Sequence, residues 1–140
     1  MLRFFIKVFV PGPFFGPLTY STDVPISPGI RVKVPLGSRE VIGLCAGKAN
    51  RPEALDIIKS VISIIDDEPI ISMQHQALVG FASDYYFAPP GDLLLSSLPT
   101  TLRKGKPIPK PKTETGHNNS PAYQLTKDQH HAIEAVDQTA

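Results

Sequence analysis

Residues 30–48 read IRVKVPLGSREVIGLCAGK, and the fold turns on how this stretch is divided. Ile30, Val32, Val34 and Leu36 alternate with Arg31, Lys33 and Pro35, the period of two that sends one face of a strand into a core. Pro35 has no N–H to give a ladder, which places it at an edge or at the strand's end. GSRE (37–40) turns the chain and VIGLCAGK (41–48) reads as a second strand, so the stretch is a β-hairpin. Its apolar faces need further sheet on both sides.

The flanking sequence supplies it. RFFIKVFV (3–10) puts Phe4, Ile6, Val8 and Val10 on one side and Arg3, Phe5, Lys7 and Phe9 on the other, again a strand. PFFGPLTYS (13–21) follows as a stiff turn in which Phe14 and Phe15 are packing residues. IIKSVISII (57–65) is β-branched and predicts another buried strand. After DDEP (66–69) the period changes: Ala77, Leu78, Phe81, Ala82 and Tyr85 form one stripe of a helix. Ser72 is placed to cap it and Pro89-Pro90-Gly91 to stop it, and Asp92 is placed to cap a second short helix closed by Pro99. Strands followed by helices give an α+β domain with a mainly antiparallel, barrel-like sheet.

The composition is that of one globular domain with extensions: 140 residues, 41% hydrophobic, with fifteen prolines that argue against long helices. Met1–Gly12 has the basic and apolar character of a signal peptide, but Lys7 breaks the apolar run and no A-x-A site follows. No apolar run approaches the roughly 18 residues of a membrane span. The lone Cys45 excludes an internal disulfide or a cysteine zinc site made by these residues, and it reads as a small buried side chain. A reducing cytoplasm fits best. The net charge of +1 conceals segregation: +4 over residues 1–48, −5 over 49–100, +5 over 101–112 and −3 over 113–140. That pattern permits a polyanion partner without requiring one.

From Lys104 onward the sequence KGKPIPKPKTETGHNNSP has one large aliphatic residue and cannot bury a core. The domains expected are residues 1–104, a Pro/Lys-rich linker over 105–121, and a truncated further region over 122–140 whose LTKDQHHAIEAV resumes a helical pattern. The end at Ala140 reads as a cut within something longer. In the linker, Arg103, Lys104, Lys106, Lys110 and Lys112 lie among prolines; they suit tracking a nucleic-acid backbone, a proline-recognition module, or mere solubility.

Chemistry-bearing motifs are sparse. His130 and His131 are adjacent and diverge on a helix, and with His75 and His117 they make no ligand set, so they read as solvated polar side chains. Asp66, Asp67 and Glu68 before a proline read as a solvated turn, since acid–base catalysis needs acids that converge on a substrate. One of Tyr85 and Tyr86 must leave the helical stripe, and both read first as packing residues. No phosphate loop, nucleophile elbow or H-E-x-x-H occurs. No catalytic residue or metal ligand is assigned, and no activity is expected of these residues alone.

Two blocks carry a resemblance. PGIRVKVPLGSREVIGLC (28–45) resembles the G-x-R-V-x-V-P-F-G…G-x-V block at the start of the PriA family of replication-restart helicases. DDEPIIS (66–72) and FASDYYFAPPGDLLLSSLPTTLRKGK (81–106) are similar to that family's D-x-x-P…A-x-Y-Y-x-x-P-x-G-x-x-L-x-x-x-L-P-x-x-L-R-x-G segment. Order and spacing agree over residues 1 to about 106.

The resemblance implies a DNA-binding domain that captures the 3′ end of the nascent leading strand at stalled forks and D-loops. The family's pocket falls on Leu18, Thr19, Gly37 and Lys59, with backbone contacts expected at Arg31, Lys33, Arg39, Arg103, Lys104 and Lys106. The family commonly has Phe-Asp-Tyr where this chain has Leu18-Thr19-Tyr20. Leucine keeps an apolar wall but forgoes stacking worth about 1–3 kcal/mol per base. Threonine offers a hydroxyl in place of a carboxylate, a weaker acceptor. A weaker or differently tuned 3′-end site is therefore expected.

LTKDQHHAIEAV resembles the L-x-x-x-Q-x-x-A element opening the family's helicase lobe, in which Gln129 would read adenine. The linker leaves no room for the winged helix of many members, unless the tail itself begins one. The resemblance further implies a parent that is an ATP- and Mg²⁺-dependent 3′→5′ helicase with bound Zn²⁺, working with primosome proteins and single-stranded-DNA-binding protein. The reading from another class is a protein-docking module using the acidic middle and the proline-rich basic run.

Overall fold

A computed structural model describes residues 3–110 and 124–139. Met1–Pro109 form one compact unit and Lys110–Ala140 a second.

In the first unit, β1 (Phe4–Phe9), β2 (Leu18–Thr22), β3 (Arg31–Leu36), β4 (Arg39–Lys48) and the two-residue β5 (Ser63–Ile64) make one antiparallel sheet in the order β2-β1-β4-β3-β5. The hairpin pairs Arg31 with Leu44 through to Leu36 with Arg39, so only Gly37 and Ser38 turn the chain. Gly37 has φ 62°, a conformation that side chains with a Cβ resist. Pro35 sits near the end of β3, past Val32 and Lys33, where β5 pairs.

Ile6, Val8, Val10, Tyr20, Ile30, Val32, Val34 and Cys45 point into the concave side and form the main core. This is the alternation read from the sequence. Phe14 packs against the same core, whereas Phe15 is exposed and takes no part in it. Between Lys7 and Val8 the β1–β4 register slips by one residue, a bulge that adds to the curl of the sheet.

Residues 57–65 do not form the buried strand expected of them. Leu55–Ile57 is a 3₁₀ turn, only Ser63–Ile64 is strand, and Ile57, Ile62 and Ile64 are exposed. The segment is held by its backbone instead. Ser21 N–H donates to the Lys59 carbonyl and Val61 N–H to Ser21, while Ile62 N–H donates to Lys33 and Ile65 N–H to Arg31. It thus links β2 to β3, the two borders of the curled sheet, and closes the barrel-like shape. A segment lying along a rim has no second layer over it, so β-branched composition did not translate into burial.

The outer face of the sheet carries a second core, in which Leu44 packs with Ile71, Leu94, Leu95 and Leu98 of the helical layer. That layer consists of α1 (Met73–Tyr86), α2 (Pro90–Ser96) and the short α3 (Thr100–Arg103). Ser72 caps α1 as expected, its Oγ accepting from His75 N–H at 3.1 Å. The stripe predicted to be buried is not: Leu78, Phe81 and Tyr85 are 66%, 64% and 67% exposed. The inward face carries His75, Val79 and Ser83, smaller or polar groups that let α1 lie close to α2, with His75 Nε2 and Ser97 Oγ 2.8 Å apart. Asp92 is not a cap either. It lies inside the first turn of α2, and its carboxylate accepts from Gly12 N–H at 2.7 Å, tying α2 to the turn after β1.

In the second unit, α4 (Lys127–Thr139) begins with a reciprocal capping box. Gln129 N–H donates to Thr126 Oγ1 and Thr126 N–H donates to Gln129 Oε1. Most of the expected linker, with Lys112 and His117, falls outside the described residues. No described helix is long and apolar enough to cross a membrane.

Candidate nucleic-acid interface

Barrel closure brings three separate parts of the sequence to one place. Leu18 and Thr19 open β2, Pro35 and Leu36 end β3, Gly37 starts the turn, and Ile57, Ile58 and Lys59 lead into the closing segment. Together they line a cleft of about 270 Å³. All four residues assigned to an end-binding pocket, Leu18, Thr19, Gly37 and Lys59, are among its walls.

The chemistry of the cleft follows from its walls. Leu18, Ile57 and Ile58 supply apolar surface. Lys59 is exposed, and its Nζ donates to the Gly37 carbonyl at 3.4 Å, a long bond that leaves the ammonium available to an anion. The Thr19 hydroxyl has no hydrogen-bond partner among the described residues. A Cβ built at Gly37 would meet nothing within 4 Å, so the glycine answers to its φ and leaves bare backbone facing open space. Beneath these, the Tyr20 hydroxyl donates to the Pro35 carbonyl at 2.8 Å and braces β2 against β3. Burial pushes the Tyr20 pKa up, so the phenol remains a donor at neutral pH.

Charge separates this cleft from three larger ones. A hollow of about 560 Å³ has Arg103 on its wall together with Glu40 and Asp92. One of about 440 Å³ is lined by Asp66, Asp67 and Glu68, and one of about 350 Å³ by Asp23 and serine hydroxyls without any cation. Among the four, only the cleft at Lys59 offers a cation and no carboxylate.

The expected backbone-contacting cations fare unequally. Arg31 is not available: its side chain is fully buried and forms an ion pair with Asp66, Nη2 lying 2.6 Å from Oδ1. Its Nε donates to Asp66 Oδ2 at 2.8 Å, and Nη1 to the Leu102 and Lys106 carbonyls at 2.8 and 2.7 Å. Arg31 falls at an outward position of β3, opposite Leu44, and that face is covered by the helical layer. The DDE turn is accordingly not wholly solvated, since Asp66 is the partner of that arginine. Lys33 is half-exposed and paired with Glu40 at 3.0 Å. Arg39 is exposed, two residues beyond Gly37 on the hairpin rim. Arg103, Lys104 and Lys106 are exposed, and none of them lines the 270 Å³ cleft.

Sequence reasoning missed Tyr20, Ile57 and Ile58. Tyr20 lies in the run 13–21 that reads as a stiff turn, although Leu18–Thr22 is strand β2, and its one signal was agreement with the tyrosine of the family's Phe-Asp-Tyr. The two isoleucines were hidden by their likeness to a core strand. Tyr85 packs on Phe81 at 5.8 Å and edge-on to Tyr86 at 4.9 Å, all three exposed. Cys45 is buried, and burial raises its thiol pKa. No cluster of three or more His, Cys, Asp or Glu suited to a metal ion occurs among the described residues.

Against known proteins, the family model of the PriA 3′DNA-binding domain (3′BD) matches residues 7–99. The chain is similar to the replication restart protein PriA of Haemophilus influenzae, 30% identical over 104 residues, or 72% of this chain and 14% of that protein. It is also similar to the protein of the same name from Buchnera aphidicola, 32% identical over 101 residues, 69% of this chain and 14% of that one. The chain therefore corresponds to about one-seventh of the length of these relatives.

Proposed function

The chain belongs to the PriA 3′DNA-binding domain family, and we propose that it seats the 3′ end of a DNA strand in the cleft of Leu18, Thr19, Gly37 and Lys59. The observation that carries this reading is the convergence of those four residues, from three separate parts of the sequence, on the cleft that has a cation and no acid. The terminal base lies against Leu18 and Ile57. The sugar terminus meets Thr19 Oγ1, the strand passes close to the bare Gly37 backbone, and Lys59 pairs with the last phosphate. Lys33, Arg39, Arg103, Lys104 and Lys106 remain as the cations for the preceding backbone; Arg31 does not.

Within a protein of the relatives' length, this domain would deliver the nascent leading-strand end at stalled forks and D-loops to an ATP-dependent 3′→5′ helicase. Primosome proteins and single-stranded-DNA-binding protein would be its partners, in the cytoplasm. Such a helicase would bring its own ATP, Mg²⁺ and Zn²⁺, and among the described residues no group of three or more His, Cys, Asp or Glu is placed to hold either metal. Gln129, placed by resemblance to read adenine, is occupied here in capping α4.

The test uses the 140-residue chain and fluorescence anisotropy. Linear single-stranded DNA with a free 3′ end should bind more tightly than a covalently closed circle of the same sequence. Equal affinity overturns end recognition. Lys59→Ala should weaken binding of the linear strand roughly three- to tenfold and reduce the salt dependence by about one ion, while Lys127→Ala changes neither. Affinity indifferent to salt would favour a protein-docking surface instead.

A further inference from the structure

Resting on the cleft as the seat of a 3′ end, we infer that it accepts a strand ending in a 3′-phosphate at least as tightly as one ending in a 3′-hydroxyl. The cleft holds one charged side chain, Lys59, and no carboxylate. A phosphomonoester brings a charge of about −1.5 to −2 and three acceptor oxygens, whereas a hydroxyl brings no charge. Among the described residues the Lys59 Nζ is engaged through its 3.4 Å contact with the Gly37 carbonyl, which a phosphate oxygen readily replaces. In a strand ending in a 3′-phosphate, the last phosphate that it pairs with is the terminal one.

Thr19 acts in the same direction. Its hydroxyl donates as well as accepts, so it can turn its proton toward a phosphate oxygen; an acid at this position would present a like charge instead. Of the acids nearby in sequence, Glu40 is paired with Lys33 at 3.0 Å, Asp23 lines the neighbouring cleft, and Asp56, beside Ile57, is not among the walls of this one. Apolar walls at Leu18, Ile57 and Ile58 still receive the base. Ends of this class arise where backbone cleavage leaves the phosphate on the 3′ oxygen, and they offer a polymerase nothing to extend. The domain would thus hold blocked ends as well as extendable ones.

The experiment measures anisotropy of the 140-residue chain with three single strands of one sequence: 3′-hydroxyl, 3′-phosphate and covalently closed circle. At low salt the phosphate end should bind equally or up to about tenfold more tightly than the hydroxyl end, with the advantage shrinking as salt rises. Lys59→Ala should abolish that advantage. Thr19→Asp should reverse it, weakening the phosphate end roughly fivefold more than the hydroxyl end. If the hydroxyl end binds more tightly while both ends exceed the circle, the inference fails and the seat stands. If all three strands bind alike, the seat itself fails and takes the inference with it. A phosphate advantage that survives Lys59→Ala also overturns it.

Discussion

Arg31 should prove to be a folding residue whose loss is felt in stability before it is felt on DNA. Replacing it by methionine keeps most of the volume and removes the guanidinium. Three consequences follow from the contacts. Asp66, 8% exposed in its side chain, loses two charge-assisted bonds and keeps only the Arg31 backbone N–H, at 3.1 Å. The Leu102 and Lys106 carbonyls lose their donors, and with them the hold that ties the turn after α3 onto the sheet.

Breaking a buried ion pair from one side costs about 3–5 kcal/mol, against a total stability of about 5–15 kcal/mol for a typical domain. At about 4 °C per kcal/mol, the melting temperature should fall by at least about 12 °C. Arg31→Lys should recover little of this, since an ammonium cannot bridge a carboxylate and two carbonyls as the planar fork does. Arg31→Met/Asp66→Leu should recover a large part, because no charge is then left buried alone. Thermal and urea unfolding followed by far-UV circular dichroism measure all three. An Arg31→Met protein that melts within about 2 °C of the parent would refute the structural role of Arg31, most clearly if it also loses DNA affinity.

Gly91 should tolerate no side chain, because a Cβ there would sit 1.9 Å from the Val10 carbonyl oxygen, and α2 would have to lift off β1. Gly91→Ala should cost about 1–3 kcal/mol or more in urea unfolding, and parent-like unfolding would refute the close approach. Cys45 is buried with its thiol pKa raised, so a thiol reagent at pH 8 should modify it only as fast as the domain opens. The rate should rise sharply in Arg31→Met, and rapid modification of the native parent would refute its burial.

The hairpin and β1 were legible because strict alternation over six or more residues is a strong signal and both strands bury one face in a closed core. The same signal failed over residues 57–65. A β-branched run shows what a sheet surface favours, but it does not say whether a second layer will cover it. Arg31 shows the complementary failure. Alternation assigns it correctly to the face opposite Val32, but a sheet covered on both sides has no solvent face at that position. Only a partner such as Asp66, 35 residues away, could reveal this. The helix α1 was placed correctly and turned wrongly, because its inward face carries Val79, packed on the Leu44 cluster, and Ser83, which donates to the Ala88 carbonyl, where large apolar residues were expected.

The misread segment also explains why the cleft exists. Residues 57–65 hold the two borders of the sheet through main-chain bonds, and of their side chains Val61 packs on the main core while Ile57, Ile62 and Ile64 stay exposed. Ile57 and Ile58 are left to make an apolar wall, and Lys59 is left to stand over the turn at Gly37. The bond from Ser21 N–H to the Lys59 carbonyl fixes that lysine against β2, on the strand that carries Leu18 and Thr19. Closure of the barrel and assembly of the cleft are therefore one event. A substitution that loosens the segment from Ser21 should disperse the cleft even where the hairpin and the main core remain intact.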